Sequence, residues 1–108
     1  DLSPLIQKAL QIVKKEYDQG ITLEEMADKL FVSEEYLSSQ FKKEIGVGFK
    51  EMVRTLQIER IKELLTNTKL KLNQIAELAG YSDAKYMSRV FKDEVGVLPS
   101  EFRKSAHC

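Results

Sequence analysis

Glu35, Ser38, Ser39 and Lys42 follow one another at intervals of three, one and three residues, and Lys85, Ser88, Arg89 and Lys92 repeat those intervals further along the chain. On an α-helix this is the i, i+3, i+4, i+7 pattern, which lines up each set along one face. A carboxylate accepts hydrogen bonds, ammonium and guanidinium groups donate them, and hydroxyls do both. Such a face can therefore grip a polar or polyanionic surface. It holds no paired nucleophile and base. A single polar face is ordinarily solvated helix surface; the argument for something more rests on finding it twice.

The elements that would carry these faces are also duplicated. The stretch Ser33 to Gly46 and the stretch Ser82 to Gly96 match at Tyr36/Tyr86, Leu37/Met87, Ser38/Ser88, Phe41/Phe91, Lys42/Lys92, Glu44/Glu94 and Gly46/Gly96. Each reads as one helix, capped by its leading Ser and closed by a left-handed Gly. Leu37, Phe41 and Ile45, like Met87, Phe91 and Val95, fall four apart and face a core. A short helix precedes each: Leu23 to Leu30, opened by a Thr22/Glu25 capping box with Ile21 and Met26 as a staple, and Leu72 to Ala79, whose start at Lys71 has no capping side chain. Ala27 and Ala76 are the small inner residues, and the extra residue in the second copy is placed between Ser82 and Tyr86.

Around these, Ser3-Pro4 opens a support helix bearing Ile6, Ala9, Leu10, Val13 and Tyr17 until Gly20. Phe49 to Leu65 has no breaker and sets Phe49, Met52, Val53, Leu56, Arg60, Ile61, Leu64 and Leu65 near one stripe, a helix of about 25 Å. Pro99 begins a last short helix through Lys104, with Ser105 to Cys108 expected to fray. The expectation is an all-α fold of seven helices. Residues 1–48 form a first helix-turn-helix subdomain, 49–65 a rigid linker helix and 66–108 a second subdomain.

Composition narrows the partners. Charges of 17 Lys/Arg against 17 Asp/Glu cancel, although nucleic-acid binders usually carry a basic excess. Residues 1–54 hold 8 basic and 10 acidic residues and residues 55–108 hold 9 and 7, so the second half is the positive one. No apolar run is long enough to span a bilayer and no signal-peptide pattern is present, which points to a cytoplasmic setting without a membrane partner. The single Cys108 permits no intrachain disulfide. His107 and Cys108 supply too few ligands for a metal site. With one His, no glycine-rich phosphate loop and no arranged acid pair, the sequence carries no catalytic site and implies no cofactor.

Helix, tight turn and second helix is how many proteins place a recognition helix in the major groove of DNA. Side chains on an early turn reach base edges, while cap amides and Lys42 or Lys92 meet phosphates. Successive major grooves on one side of B-DNA lie about 34 Å apart, a span suited to two readers joined by the linker helix. The competing reading is a helical protein-interaction module, favoured by zero net charge and by Glu24, Glu25, Glu34 and Glu35; on it Lys42, Lys43, Lys92 and Arg103 are solvated surface charges.

Over nearly its full length the chain resembles the C-terminal DNA-binding domain of AraC/XylS-family transcription regulators. The resemblance is carried by Leu23 to Ala27, Ser33 to Gly46, Arg60 to Leu65, Ile75-Ala76, Gly80-Tyr81-Ser82, Tyr86 to Lys92, Gly96, Pro99 and Phe102-Arg103. It looks most like the branch attached to response-regulator receiver domains. The resemblance implies two helix-turn-helix units bridged by the central helix and reading a non-palindromic duplex, RNA polymerase as a further partner, and a sensor or receiver domain preceding this unit. By position it implies Glu35, Ser38 and Ser39 as one base-reading set and Ala84, Lys85, Ser88 and Arg89 as the other. The implied phosphate contacts are Thr22, Ser33, Lys42, Lys43, Ser82, Lys92 and Arg103. Three positions depart from the pattern: Glu35 brings a negative charge toward DNA, Met87 replaces a frequent aromatic, and Leu98 stands where a capping hydroxyl is common.

Overall fold

A computed structural model describes residues 1–107. Among them it contains seven α-helices and no strand: α1 Pro4–Glu16, α2 Leu23–Leu30, α3 Glu34–Ile45, α4 Phe49–Asn67, α5 Leu72–Ala79, α6 Ala84–Val95 and α7 Pro99–Ala106. No helix among the described residues is long and apolar enough to cross a membrane. The chain divides into two compact units, Asp1 to Leu56 and Gln57 onward, with the division inside α4.

In the first unit Ile6, Ala9 and Val13 of α1, Met26 and Ala27 of α2, Leu37 and Phe41 of α3, and Phe49 at the head of α4 bury a common core. Phe41 and Phe49 meet edge to face, with ring centroids 6.2 Å apart, a favoured aromatic geometry. Ile21 and Met26 are both buried in that cluster, as a staple across the start of α2 requires. Gly20 does not end α1 directly. The α-helix stops at Glu16, and Tyr17–Gln19 tighten into a 3-10 turn before Gly20 takes a left-handed φ of 76°. The entry to α1 is tied down by Glu44 of α3, whose carboxylate accepts from the Ser3 amide at 2.7 Å and the Ser3 hydroxyl at 2.8 Å.

The second unit repeats the scheme with Ile58, Ile61, Leu64 and Leu65 of α4, Ile75, Ala76 and Ala79 of α5, and Met87, Val90 and Phe91 of α6. Phe102 of α7 stands edge to face against Phe91 at 5.6 Å, and the Lys62 ammonium lies 5.9 Å from its ring centroid. Two expectations are corrected here. The supposed single stripe of α4 is two: Phe49, Met52, Val53 and Leu56 serve the first core, whereas Ile58, Ile61, Leu64 and Leu65 serve the second. Ile58 was outside the expected set because a one-core periodicity does not select it. The final helix runs past Lys104 to Ala106, so Ser105 and Ala106 are helical; Cys108 lies outside the described residues.

Each short helix ends in the same hydrogen-bonded motif. Val32 and Tyr81 donate to the carbonyls of Ala27 and Ala76, and Phe31 and Gly80 donate to those of Asp28 and Glu77. This is the Schellman arrangement, which needs a left-handed residue at its corner. Gly80 fills that corner at φ 92°; Phe31 fills it at φ 60°, a conformation a side chain makes costly.

Candidate nucleic-acid interface

The start of α3 is capped as its sequence predicts, with the Ser33 hydroxyl accepting from the Tyr36 amide at 3.1 Å. The start of α6 is not. Asp83 is the cap, its carboxylate accepting from the Tyr86 amide at 2.7 Å, and Ser82 stands one residue outside the helix. Ser82 is therefore the extra residue of the second copy, and the equivalent positions become Ser33/Asp83, Glu35/Lys85, Ser38/Ser88, Ser39/Arg89 and Lys42/Lys92. Asp and Ser are both strong capping types, so two adjacent candidates left the sequence ambiguous by one residue.

On α3, Glu35, Ser38, Ser39 and Lys42 are all exposed. Glu34, Glu35, Ser38 and Ser39 line an open notch of about 430 Å³ together with Leu23 at the start of α2. That brings Glu35, Ser38 and Ser39, the first set expected from the sequence to read bases, together at the head of one helix. Unlike those of Glu16, Glu25 and Glu44 in the same unit, which bind Lys29, Thr22 and Ser3, the Glu35 carboxylate makes no hydrogen bond or ion pair with the described residues. On α6, Lys85, Arg89 and Lys92 are exposed while Ala84 and Ser88 are half-buried. The second set thus shares a helix face too, with its long cations outermost.

Electrostatics separate the two helices. Glu34 and Glu35 occupy the first turn of α3, where the positive end of the helix dipole favours acids. The first turn of α6 has no acidic residue and carries Lys85 instead, which the dipole disfavours by about 0.3–1 kcal/mol. Helix stability accounts for Glu35; it does not account for Lys85.

The remaining candidates differ in how free they are. Lys42 and Lys43 end α3 and Lys92 sits in the last turn of α6, all exposed. The Thr22 hydroxyl is committed to Glu25, accepting from its amide at 3.1 Å and donating to its carboxylate at 3.0 Å. Arg103 is turned inward to α4: its Nε donates to the Leu65 carbonyl at 3.2 Å and one Nη to the Thr68 carbonyl at 3.3 Å. Lys71 and Leu98 begin α5 and α7 without capping side chains, but Gln74 and Glu101 reach back to accept their amides at 2.9 and 3.0 Å. The missing hydroxyl at Leu98 is in this way half compensated. Two residues matched in the repeat but given no role also flank the polar faces: Tyr36 and Tyr86 are each about half exposed, and Tyr86 rests against Tyr81 with centroids 5.8 Å apart. Their identity in both copies, off the core row, was the available signal.

Comparison with known proteins places these features in context. The family model described as "Helix-turn-helix domain" matches residues 26–105. The Msm operon regulatory protein of Streptococcus mutans is 31% identical over 92% of this chain. The chain spans only 36% of that protein's length. Among solved structures, the C-terminal domain of AraT, a response regulator from Geobacillus stearothermophilus, superposes with a TM-score of 0.92 at 37% identity, covering 96% of this chain and 87% of that one. The C-terminal domain of the two-component response regulator yesN from Fusobacterium nucleatum gives a TM-score of 0.88 at 33% identity, covering 94% and 99%.

Proposed function

Because the chain belongs to the AraC/XylS-type helix-turn-helix family, we propose that it binds double-stranded DNA sequence-specifically, as the output part of a longer cytoplasmic transcription regulator. The observation that carries this reading is the doubled polar face: α3 and α6 stand at equivalent places in separately cored units, and each leaves its reading side exposed. Each helix enters a segment of the major groove, the two segments being successive parts of a non-palindromic site. Glu35, Ser38 and Ser39 face bases in one segment; Ala84, Lys85, Ser88 and Arg89 face bases in the other. Lys42, Lys43 and Lys92, with the amides and hydroxyls around Thr22, Ser33 and Ser82, hold phosphates, and Arg103 has only its remaining Nη donors to offer there.

Chemistry on the DNA has no part in this proposal; the chain reads and does not react. A sensor or receiver domain precedes it in the full protein, and RNA polymerase is the partner through which binding acts. Titration of the 108-residue chain against labelled duplex at several salt concentrations tests the reading. With Lys42, Lys43 and Lys92 on phosphates, log K should fall against log salt with a slope of about −3. Absence of any salt-sensitive duplex binding would favour a protein-interaction module instead.

A further inference from the structure

The corrected cap alignment puts opposite charges at one position of two equivalent helices. Counted from Ser33 and Asp83, Glu35 and Lys85 are the second residues of α3 and α6, and Ser39 and Arg89 the sixth. Between them Ser38 and Ser88 are the same, as are Lys42 and Lys92 one turn further on. Scaffold and phosphate-facing cations are retained while the reading groups invert.

Resting on the DNA-binding reading above, we infer that the two units recognise opposite base edges: α6 reads guanine through Lys85 and Arg89, and α3 reads cytosine through Glu35. Ammonium and guanidinium groups only donate, and the major-groove edge of guanine offers the O6 and N7 acceptors they need. An ionised carboxylate only accepts, so it requires an exocyclic amine. Cytosine presents N4 with no acceptor beside it on that base. Adenine presents its amine next to N7, whose lone pair repels a carboxylate and suits an amide instead. Two acids, Glu34 and Glu35, line the notch with the Ser38 and Ser39 hydroxyls; Glu35 is the one on the i, i+3, i+4, i+7 row with Ser38, Ser39 and Lys42, and so the one that shares their face.

Helix capping alone does not explain the pattern. The dipole that favours an acid at the second residue of α3 acts equally on α6, where Lys85 stands. The dipole suffices for Glu35 as a helix residue and leaves Lys85 unexplained; once α3 lies in the groove, a cytosine amine offsets the repulsion between the Glu35 carboxylate and the phosphates.

The test is selection of sites from a random duplex library by the 108-residue chain, followed by affinity measurements on the selected duplex and its point variants. One segment should specify cytosine and the other guanine. Replacing the cytosine pair with T·A, which sets an acceptor against the carboxylate, should cost the wild-type chain about 5- to 100-fold. Glu35→Gln should cut that discrimination to roughly 2-fold or shift it toward adenine, leaving the guanine segment unchanged. Lys85→Ala and Arg89→Ala should relax the guanine segment alone. Glu24→Gln removes an equal charge from the neighbouring helix and should tighten all sequences alike. If Glu35→Gln behaves as Glu24→Gln does, with uniform tightening and unchanged base frequencies, the inference is overturned. A selection that enriches defined sites lacking a cytosine preference also overturns it while leaving DNA binding intact. Failure to enrich any duplex removes both.

Discussion

Arg103 offers a direct choice between holding the fold and holding DNA. The last carbonyls of α4 have no intrahelical partner. Thr68 satisfies Leu64 through its amide, and Arg103 takes the Leu65 carbonyl with Nε and the Thr68 carbonyl with an Nη. The last turn of α4 carries no basic residue of its own, so this guanidinium is also the charge that complements its negative end. At 3.2 and 3.3 Å the bonds are longer than well-formed charge-assisted ones. Taking each at about 1 kcal/mol, with about 0.5 kcal/mol from the helix terminus, Arg103→Ala should destabilise the second unit by about 2–3 kcal/mol. Arg103→Lys keeps the charge but cannot span both carbonyls, and should recover less than about 1 kcal/mol of that loss. Urea unfolding followed by circular dichroism gives the stability, and duplex titration at low temperature gives affinity and salt slope of the folded variant. An Arg103→Ala chain that unfolds at the wild-type urea midpoint while its salt slope shrinks by about 0.9 would show the side chain spent on a phosphate, refuting the clamp.

Two other perturbations probe the first unit. The Ser3 amide and then the Ser3 hydroxyl hold the Glu44 carboxyl below its usual value of 4.5; desolvation opposes them, and the positive charges of Lys43 and the N-terminus add lesser contributions in the lowering direction. A depressed folded pKa means stability present above the unfolded value and lost as pH falls through the folded one. Glu44→Gln should therefore lower the melting temperature at pH 7 and converge with wild type as pH drops well below 4.5; a gap independent of pH refutes the linkage. Phe31, 94% exposed at φ 60°, buries nothing that substitution would lose. Phe31→Gly should stabilise by about 0.5–1 kcal/mol by relieving a left-handed side chain, and Gly80→Ala should destabilise by about 1 kcal/mol at the equivalent corner. Loss of stability in Phe31→Gly, measured by thermal melting, counts against this account.

How far the sequence could be read depended on whether neighbouring residues competed for one role. Thr22 and Ser33 were legible as caps because each is flanked by residues that cannot cap. Ser82 and Asp83 are adjacent and both capable, and only the hydrogen bond to Tyr86 chooses between them. The rows Leu37–Phe41 and Met87–Phe91 were legible because each helix turns one face to one core; Val90, also buried, lies off the four-residue row. α4 misled for the complementary reason: a periodicity assumes a single core, and this helix changes core between Leu56 and Ile58. At the interface, spacing grouped each polar set correctly on its helix, but a guanidinium has no preferred surroundings that composition reveals, and the inward turn of Arg103 depends on where α4 ends.

The duplication also explains which positions could diverge. Ala27/Ala76, Leu37/Met87 and Phe41/Phe91 are all buried, where a change of volume is felt throughout a packed core. Gly46 and Gly96 close their helices at φ 97° and 96°, where a side chain would be strained. Glu35/Lys85 and Ser39/Arg89 answer to neither constraint: they are exposed and touch no core cluster. Their chemistry can invert at the cost of about 0.3–1 kcal/mol of helix-dipole energy while the backbone stays put. A scaffold of this kind fixes where a side chain is presented and leaves what it says to the partner. It follows that exchanging Glu35 for Lys and Lys85 for Glu in one chain should leave thermal stability within about 1 kcal/mol of wild type, replace the cytosine preference of the α3 segment by guanine, and add a cytosine preference to the α6 segment beside the guanine that Arg89 still reads. A double variant that melts normally but keeps the wild-type order of preferences would mean that specificity resides elsewhere on these helices.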